Sequence, residues 1–302
     1  MKNSNKYSKK PKITRLKAAE NIELLDFLLQ KMGGMSRNSI KSLLAHRQVF
    51  VNEKIITQYN YQLVENDNVT ISSGRGNVEL THPQLTIIHE DAYIIVVEKK
   101  EGLLTVSTHK ESNETTAFSI LKNYVKKMSP RNQIFVVHRL DRETSGVLVF
   151  AKSSEIQHAM RENWQEIVTK RIYTALVEGK MEKSADTLVS WLTENEKSLK
   201  IYSSPVDNGG KMAVTRYRTI KYGENYSLLE IELETGRKNQ IRVQLQNIGH
   251  PIAGDKKYGA TTNLLGRIGL HAGILEFYHP ATDEIVHFES PPPRSFYGKI
   301  SR

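Results

Sequence analysis

The stretch His138-Arg139-Leu140-Asp141-Arg142-Glu143-Thr144-Ser145-Gly146 concentrates more reactive side chains than any other part of this sequence. It lies between two apolar runs of strand length, Ile134–Val137 and Val147–Ala151. Functional groups are often carried on loops between rigid strands. The two arginines favour the ionised form of Asp141, even inside a pocket. By composition alone such a loop is more often a structural ion-pair turn than a catalytic one, so both interpretations stay open at this point.

The sequence around this loop reads as many short β-strands with few helices. Few strand–helix–strand repeats are present, so we expect a mixed, largely antiparallel α+β domain over residues 82–300. Helices are predicted at Ala117–Met128, Ser154–Val168 and Asn239–Ile248. Strands are predicted at Leu85–His89, Tyr93–Glu98, Phe135–Val137, Val147–Ala151, Ile172–Val177, Ala213–Tyr222, Ser227–Leu233, Gly269–Phe277 and Ile285–Phe288.

A second reactive segment is Glu234–Gln244, where Thr235-Gly236 turns into a predicted helix. The cations Arg237, Lys238 and Arg242 cluster at the start of that helix. A helix N-terminus with nearby cations suits a phosphate or a carboxylate partner. Taken alone, this segment is better explained by the alternative, an exposed basic helix end.

Residues 19–76 form a separate unit with two predicted helices followed by short strands. Ser36 is a plausible N-cap for the second helix. Arg37 and Lys41 stand four residues apart on it, so they share one outward ridge, with Arg47 at its end. A row of cations on a small helical unit suits the groove of an RNA.

Composition sets the broad class. The 302 residues carry 43 Lys and Arg against 33 Asp and Glu, a formal net charge of +10, which favours an anionic partner. Residues 1–18 are strongly basic, and we expect a flexible tail there. The absence of cysteine excludes disulfides, iron–sulfur clusters, thiolate zinc sites and a cysteine nucleophile. No apolar run has the length of a membrane helix, so we expect a cytoplasmic protein with no membrane partner.

The N-terminal unit resembles an S4 RNA-binding domain. The resemblance rests on Leu25-Asp26-Phe27-Leu28, Ser36-Arg37, Ile40–Leu44 and Val49–Asn52. The family usually has glycine where this chain has Glu53 and favours glycine in the turn at Asn66-Asp67, departures that weaken turn geometry more than RNA contact. Ser72–Asn77 reads as a linker to the next domain.

The larger unit resembles the RluA-type pseudouridine synthases, in an RluC/RluD-like arrangement with an S4 domain ahead of the catalytic domain. The match covers about residues 85–290. The segments that carry it are His138–Gly146 with Ala151-Lys152-Ser153, Lys170–Tyr173 with Val177-Glu178-Gly179, Thr235–Val243, Gly249–Asp255 with Tyr258-Gly259, and Leu270-His271-Ala272 with Phe277–Pro280. This chain departs from the family pattern at Lys238-Asn239, Gln244 and Lys100, which affects RNA contacts more than chemistry.

The resemblance implies a role for each matched residue. Asp141 would be the catalytic carboxylate, acting either as a nucleophile or as a base, and Arg242 would pair with it. Tyr173 would stack on a flipped base, and Leu270 would form a wall of the pocket. Arg139 occupies the position that can insert into RNA where the base has left.

Further site residues follow from charge and spacing. Lys99, Arg237 and Lys238 are the candidate phosphate contacts. His138, His250 and His271 lack the spacing of a metal site, so we expect structural hydrogen bonds for them. Neither a metal nor a cofactor is expected.

The leading hypothesis is therefore an RNA pseudouridine synthase that modifies large-subunit (23S) ribosomal RNA, either free or in pre-ribosomal particles. The same chemistry on transfer RNA is one alternative. A catalytically silent RNA-binding or ribosome-assembly factor is another. A monomer is the expectation that the resemblance supplies.

Overall fold

The computed structural model describes residues 13–45, 48–72, 80–107 and 114–298. The chain divides into two compact units, Met1–Leu80 with Lys122–Asn132, and Thr81–Leu121 with Gln133–Arg302. Within the described residues, no helix combines the length and the apolar character that a membrane crossing requires.

The smaller unit packs two helices against a small sheet. Its sheet order is β1-β6-β3-β4, and β2 pairs with β5. The apolar faces of both helices and the inward strand residues form one core, which includes Leu25, Leu28, Ile40, Val51 and Val69. The elements are β1 Ile13–Lys17, β2 Ile22–Glu23, α1 Leu24–Lys31, α2 Arg37–Ala45, β3 Val49–Val51, β4 Lys54–Ile55, β5 Gln62–Leu63 and β6 Asn68–Ser72.

The expectation of a flexible tail through residue 18 is wrong from Ile13 onward. Ile13–Lys17 forms β1, which pairs antiparallel with β6, and Ala18 is buried in the core. The exposed Arg15 and Lys17 alternate with the half-buried Thr14 and Leu16, which is the period-two pattern of a strand. The high charge of the segment made this pattern hard to detect in the sequence. Residues 1–12, and the linker predicted at Ser72–Asn77 beyond its first residue, lie outside the described residues.

The turns that lack the glycines of the S4 pattern keep the left-handed backbone that glycine would favour. Asn52, Glu53 and Asn66 have φ values of 47°, 67° and 74°. Asn52 stabilises this geometry because its amide donates to Asp67 Oδ1 at 2.7 Å and its oxygen accepts from the Asn68 amide at 2.9 Å. Asparagine tolerates this region better than other residues do, whereas Glu53 is held there at a cost of about 1 kcal/mol.

The larger unit is built on one mixed sheet of eleven strands. Its main path is β13-β12-β14-β15-β11-β16-β10-β8-β7, with β17 on β16 and β9 on β10. Among the described pairings of this sheet, only β10 with β16 is parallel. The strands are β7 Leu85–Glu90, β8 Ile94–Lys99, β9 Phe135–Val136, β10 Ser145–Ala151, β11 Val168–Glu178, β12 Ala185–Glu194, β13 Ile201–Ser204, β14 Lys211–Tyr222, β15 Tyr226–Leu233, β16 Leu270–Tyr278 and β17 Ile285–Glu289.

Helices occupy the connections between these strands. They are α3 Ala117–Met128, which falls in the smaller unit from Lys122 onward, α4 Ser154–Glu162, α5 Trp164–Ile167, α6 Gln240–Asn247 and α7 Arg294–Gly298, and a 3₁₀ turn covers Lys256–Tyr258. The apolar face of α6, with Ile241 and Leu245, packs in a core with Leu229 and Ile231 of β15. This packing sets the start of α6 beside the loop His138–Gly146.

The predicted α+β class and largely antiparallel sheet are confirmed, and each of the nine predicted strands is present. Two strands were missed, β12 and β13, which form one end of the sheet. The single helix predicted over Ser154–Val168 is instead two helices with a break at Asn163, after which the chain enters β11 directly.

Candidate active site

A cleft of about 600 Å³ opens beside the loop His138–Gly146. Its walls come from that loop, from α4 and α5, from β11, from the segment that leads into α6, and from the start of β16. Seven of the side chains that the sequence singled out line it together: Arg139, Asp141, Tyr173, Arg237, Lys238, Arg242 and Leu270.

The loop that carries Asp141 is fixed at both ends. On one side the Thr105 hydroxyl bridges the Leu140 carbonyl, at 2.8 Å, and the Leu140 amide, at 3.1 Å. On the other side Gly146 has a φ of 122° and faces Ala272 of β16, so closely that a Cβ would overlap the Ala272 carbonyl oxygen. These constraints set Asp141 in the cleft with its side chain 23% exposed.

Arg242 lies next to Asp141 and is oriented by a second carboxylate, Asp255. Its Nε donates to Asp255 Oδ2 at 2.6 Å and its Nη2 to Asp255 Oδ1 at 2.8 Å, a bidentate pair in which Asp255 is 1% exposed. The remaining nitrogen, Nη1, lies 3.6 Å from Asp141 Oδ2 and 3.6 Å from Glu143 Oε2. The guanidinium is therefore clamped on one edge and presents the other to the loop.

Charge keeps this guanidinium protonated. Burial alone lowers the pKa of Arg242, but the hydrogen bonds and charge of Asp255, with Asp141 and Glu143 further away, raise that pKa above its usual value. Arg242 therefore lies near Asp141, as the predicted pairing requires, but its hydrogen-bonded carboxylate is Asp255. The sequence places Asp255 only within the motif Gly249–Asp255, and the structure shows that it is fully buried, where a carboxylate requires a cationic partner.

Tyr173 stands on β11 and faces the same cleft. Burial raises the pKa of its hydroxyl to about 12, the nearby negative charge of Asp141 acts in the same direction, and Arg171 opposes both. The phenol therefore stays protonated at neutral pH and is a hydrogen-bond donor. Leu270, 3% exposed at the start of β16, adds an apolar wall.

The cationic side chains of the cleft differ in whether they have hydrogen-bond or ion-pair partners within the protein. Lys238 forms an ion pair with Glu194, and Arg237 donates through Nε to the Met212 carbonyl at 3.1 Å. Arg139 is exposed and has no hydrogen-bond or ion-pair partner among the described residues. The surface at the mouth of the cleft is therefore basic.

The expectation that Lys99 contacts phosphate is wrong. Lys99 is 0% exposed, and its ammonium group donates to the carbonyls of Leu103 at 2.8 Å, Lys100 at 3.1 Å and Arg142 at 3.3 Å. Burial lowers its pKa to about 8, an effect that Asp141 and Glu143 partly oppose. Lys99 faces inward because it lies at the end of β8, between Leu85 of β7 and Gly146 of β10. Lys99 therefore stabilises the loop His138–Gly146 through its hydrogen bond to the Arg142 carbonyl and is not accessible to RNA.

In the smaller unit, α2 carries Arg37 and Lys41 at exposed positions. The N-terminus of this helix is capped as predicted, since the Ser36 hydroxyl accepts from the Ser39 amide at 3.1 Å. The Lys41 ammonium lies 4.7 Å from the ring centre of Tyr59, a cation–π contact that the sequence did not indicate. Arg47 lies outside the described residues.

The three histidines make structural contacts, as expected. His138 accepts from the Val149 amide at 3.2 Å and stacks on Trp164, and burial lowers its pKa to about 3. His271 bridges the Ser145 hydroxyl and the Ser290 carbonyl, each at 2.8 Å. His250 contacts the Glu178 carbonyl at 2.9 Å. Within the described residues, no group of three or more histidine or acidic side chains could hold a metal ion.

The residues that depart from the family pattern stabilise the segment behind Arg242. Asn239 adopts a left-handed φ of 53° and donates to the Tyr258 hydroxyl at 2.9 Å. Gln244 is buried, donates to the Ser190 hydroxyl at 2.8 Å and accepts from Thr215 at 2.6 Å. Gln244 is thus part of the interior and does not face an RNA.

Comparison with known sequences gives the family. A family profile described as RNA pseudouridylate synthase matches residues 93–247, and an S4 domain profile matches residues 24–69. The chain is 35% identical, over 85% of its length and 86% of the relative's, to an uncharacterized RNA pseudouridine synthase, YhcT, of Bacillus subtilis. It is 33% identical, over 88% of its length and 80% of the relative's, to ribosomal large subunit pseudouridine synthase D of Nitrosomonas europaea.

Solved structures support the fold. The chain resembles human RNA pseudouridylate synthase domain containing 4 with a TM-score of 0.58 at 24% identity, over 71% of this chain and 91% of that one. The chain belongs to the RNA pseudouridine synthase family, an isomerase family, and carries an S4 RNA-binding domain.

Proposed function

We propose that this enzyme converts uridines of large-subunit ribosomal RNA to pseudouridine, with Asp141 as the catalytic carboxylate. The relatives from Nitrosomonas europaea and Neisseria meningitidis, each named ribosomal large subunit pseudouridine synthase D, support the choice of RNA. The observation that carries the catalytic assignment is the position of Asp141, solvent-accessible at the cleft and 3.6 Å from the clamped guanidinium of Arg242.

The reaction breaks the bond between uracil N1 and ribose C1′ and forms a bond between C5 and C1′. C5 loses its proton and N1 gains one, so no oxidant or reductant is consumed. A carboxylate can carry this reaction either by attack on the nucleotide or by removal of a ribose proton. The uridine must leave its stack to reach Asp141, at a cost of a few kcal/mol.

The neighbouring side chains divide the remaining tasks. Arg242 presents a positive charge to Asp141 in a fixed orientation, because Asp255 holds the opposite edge of the guanidinium. Tyr173 offers its ring to the extruded base and its protonated hydroxyl as a donor. Leu270 excludes water on one side, and Arg139 occupies the space in the RNA from which the base was extruded. The expectation of a monomer acting in the cytoplasm belongs to the same proposal.

The substrate is tested by mapping pseudouridines in total RNA of cells with and without this protein. We expect the loss of at least one site in large-subunit ribosomal RNA. Losses confined to transfer RNA would overturn the substrate class and leave the chemistry intact. No lost site, together with retained RNA binding, would indicate the silent RNA-binding factor instead.

The catalytic assignment is tested by Asp141→Asn, with Glu143→Gln as its matched control. Both carboxylates lie 3.6 Å from Arg242 Nη1 in the same loop. We expect Asp141→Asn to abolish isomerisation while RNA affinity stays within a few-fold, and Glu143→Gln to keep activity within about tenfold. Turnover by Asp141→Asn would refute the assignment.

A further inference from the structure

A second groove, of about 520 Å³, adjoins the cleft at the Asp141–Arg242 contact. It shares Arg139, Asp141, Lys238, Asn239 and Arg242 with the cleft. Its remaining walls come from Arg142 and Glu143 and from the segment between Gly254 and Ile268. A strand of RNA with its uridine at Asp141 would therefore have two adjoining surfaces available to it.

The charge of the second groove is strongly biased. Seven cationic and three acidic side chains line it. The three acidic groups, Asp141, Glu143 and Asp255, all lie within 3.6 Å of Arg242 and are balanced in part by it. Asp141 and Glu143 belong to the active-site loop, so the rest of the groove surface is basic.

The cations of the groove differ in how they are used. Arg142 pairs with Glu114 at 2.6 Å, Arg267 with Glu101 at 2.5 Å, and Lys238 with Glu194. Arg139 and Lys256 are exposed, and neither side chain has a hydrogen-bond or ion-pair partner among the described residues. Lys257 is exposed as well and donates only to the Leu199 carbonyl, at 3.1 Å. Within the described residues, Lys256 therefore has no protein partner to give up when it meets an anionic ligand, and Lys257 has one neutral hydrogen bond to give up.

The two lysines project from a rigid base. Tyr258, which follows them, is 1% exposed, and its hydroxyl accepts from Asn239 Nδ2 at 2.9 Å and from the Ile201 amide at 3.2 Å. Asp255, which precedes them, is held by Arg242. One short segment therefore orients the guanidinium beside Asp141 and displays Lys256 and Lys257 at the groove. Lysines on a fixed backbone lose only side-chain freedom when they bind a phosphate.

We infer that the second groove binds the phosphate groups of the RNA strand on one side of the target uridine, through Lys256 and Lys257. This inference rests on the proposed function, because it takes the nucleotide at Asp141 as its reference point. The cleft holds the strand on the opposite side. Phosphate contacts of this kind position the substrate without reading its sequence.

The first test measures RNA binding without turnover. The double variant Lys256→Ala/Lys257→Ala is made in the Asp141→Asn background and titrated with a large-subunit ribosomal RNA transcript at several salt concentrations. Each lost phosphate contact lowers the slope of log K against log salt by about 0.7–0.9, so a fall of about 1.5 is expected, with roughly tenfold weaker binding at low salt. Lys180→Ala is the control, since Lys180 is exposed and lines neither surface. An unchanged slope in the double variant overturns the inference.

The second test locates the contact along the strand. Two shortened RNAs are compared, one ending just upstream and one just downstream of the target uridine. The binding penalty of the double variant should vanish with one of the two RNAs and persist with the other. A penalty that persists with both, or vanishes with both, overturns the inference.

Isomerisation of the full transcript by the wild-type enzyme is measured in parallel. If the wild type modifies the transcript but the double variant binds RNA with an unchanged salt slope, the groove assignment is wrong and the proposed function stands. If the wild type modifies only transfer RNA, the proposed substrate is wrong, and the binding tests are repeated on that RNA.

Discussion

Asp255→Ala is the perturbation that best tests the geometry around Asp141. It removes the carboxylate that accepts from Arg242 Nε at 2.6 Å and Nη2 at 2.8 Å. Arg242 is 7% exposed, so water cannot readily replace the lost partner. Removing one member of a buried ion pair costs about 3–5 kcal/mol of unfolding free energy, because the other charge is left uncompensated.

The same variant should impair the chemistry separately from stability. Without Asp255 the guanidinium is free to turn toward Asp141 and Glu143, the two carboxylates 3.6 Å away. A displacement of about 1 Å at a reacting group lowers rates on the order of 100-fold. We therefore expect the single-turnover rate at saturating RNA to fall by about that factor under conditions where the variant is still folded.

Chemical denaturation and single-turnover isomerisation, both at neutral pH, measure the two effects. Asp255→Asn keeps the shape and one acceptor oxygen, and it should lie between the wild type and Asp255→Ala in both measurements. Asp186→Ala, which breaks an exposed pair with Lys183, should change neither. Wild-type stability in Asp255→Ala would refute the view that Asp255 holds Arg242 in place.

Three further outcomes follow from the structure. Gly146→Ala should lower the unfolding free energy by at least about 3 kcal/mol, since its Cβ would overlap the Ala272 carbonyl at a positive φ. Gly33→Ala is the control, and it should not lower the unfolding free energy because the space around Gly33 is open. Equal denaturation midpoints for the two variants would contradict this prediction. The native pKa of Lys99 is about 8 against a usual 10.5, so between these values only the unfolded chain retains the proton. The unfolding free energy of the wild type, measured relative to that of Lys99→Met, should therefore rise by up to about 3 kcal/mol between pH 8 and pH 10.5. If the difference between the two proteins does not change over this range, Lys99 is not buried. Lys41→Ala should reduce the salt slope of RNA binding by about 1, and an unchanged slope would remove the α2 ridge from the RNA contacts.

The sequence predicts where the active-site loop lies, but it does not predict which charged side chains pair with one another. The loop His138–Gly146 could be placed between strands because its flanks are short apolar runs. Arg242 was assigned to Asp141, and Asp255 was overlooked, because a side chain's distance to two acidic residues depends on how α6 packs against the sheet.

Lys99 shows a second limit. It follows Glu98 and precedes Lys100, so the sequence around it looks like an exposed charged run. Period-two geometry places Val97 and Lys99 on one face of β8, but Ile94–Val97 are buried on both faces, so this spacing does not distinguish Lys99 from its charged neighbours. In β1 the basic residues Arg15 and Lys17 alternate with half-buried ones, so the charge of the segment obscures its period-two spacing.

The parallel pairing of β10 with β16 joins residues 126 positions apart, as in the contact of Ser145 with His271. In a nascent chain, β10 and β11 emerge from the ribosome well before β16, the strand that lies between them. Until it arrives, the Asp141 loop lacks one of its anchors, and two strand edges remain open to pairing with other chains. Folding of the larger unit therefore depends on a long-range contact that forms late. Synthesis must pass Tyr278 before the enzyme is competent, so unfinished chains meet RNA without modifying it.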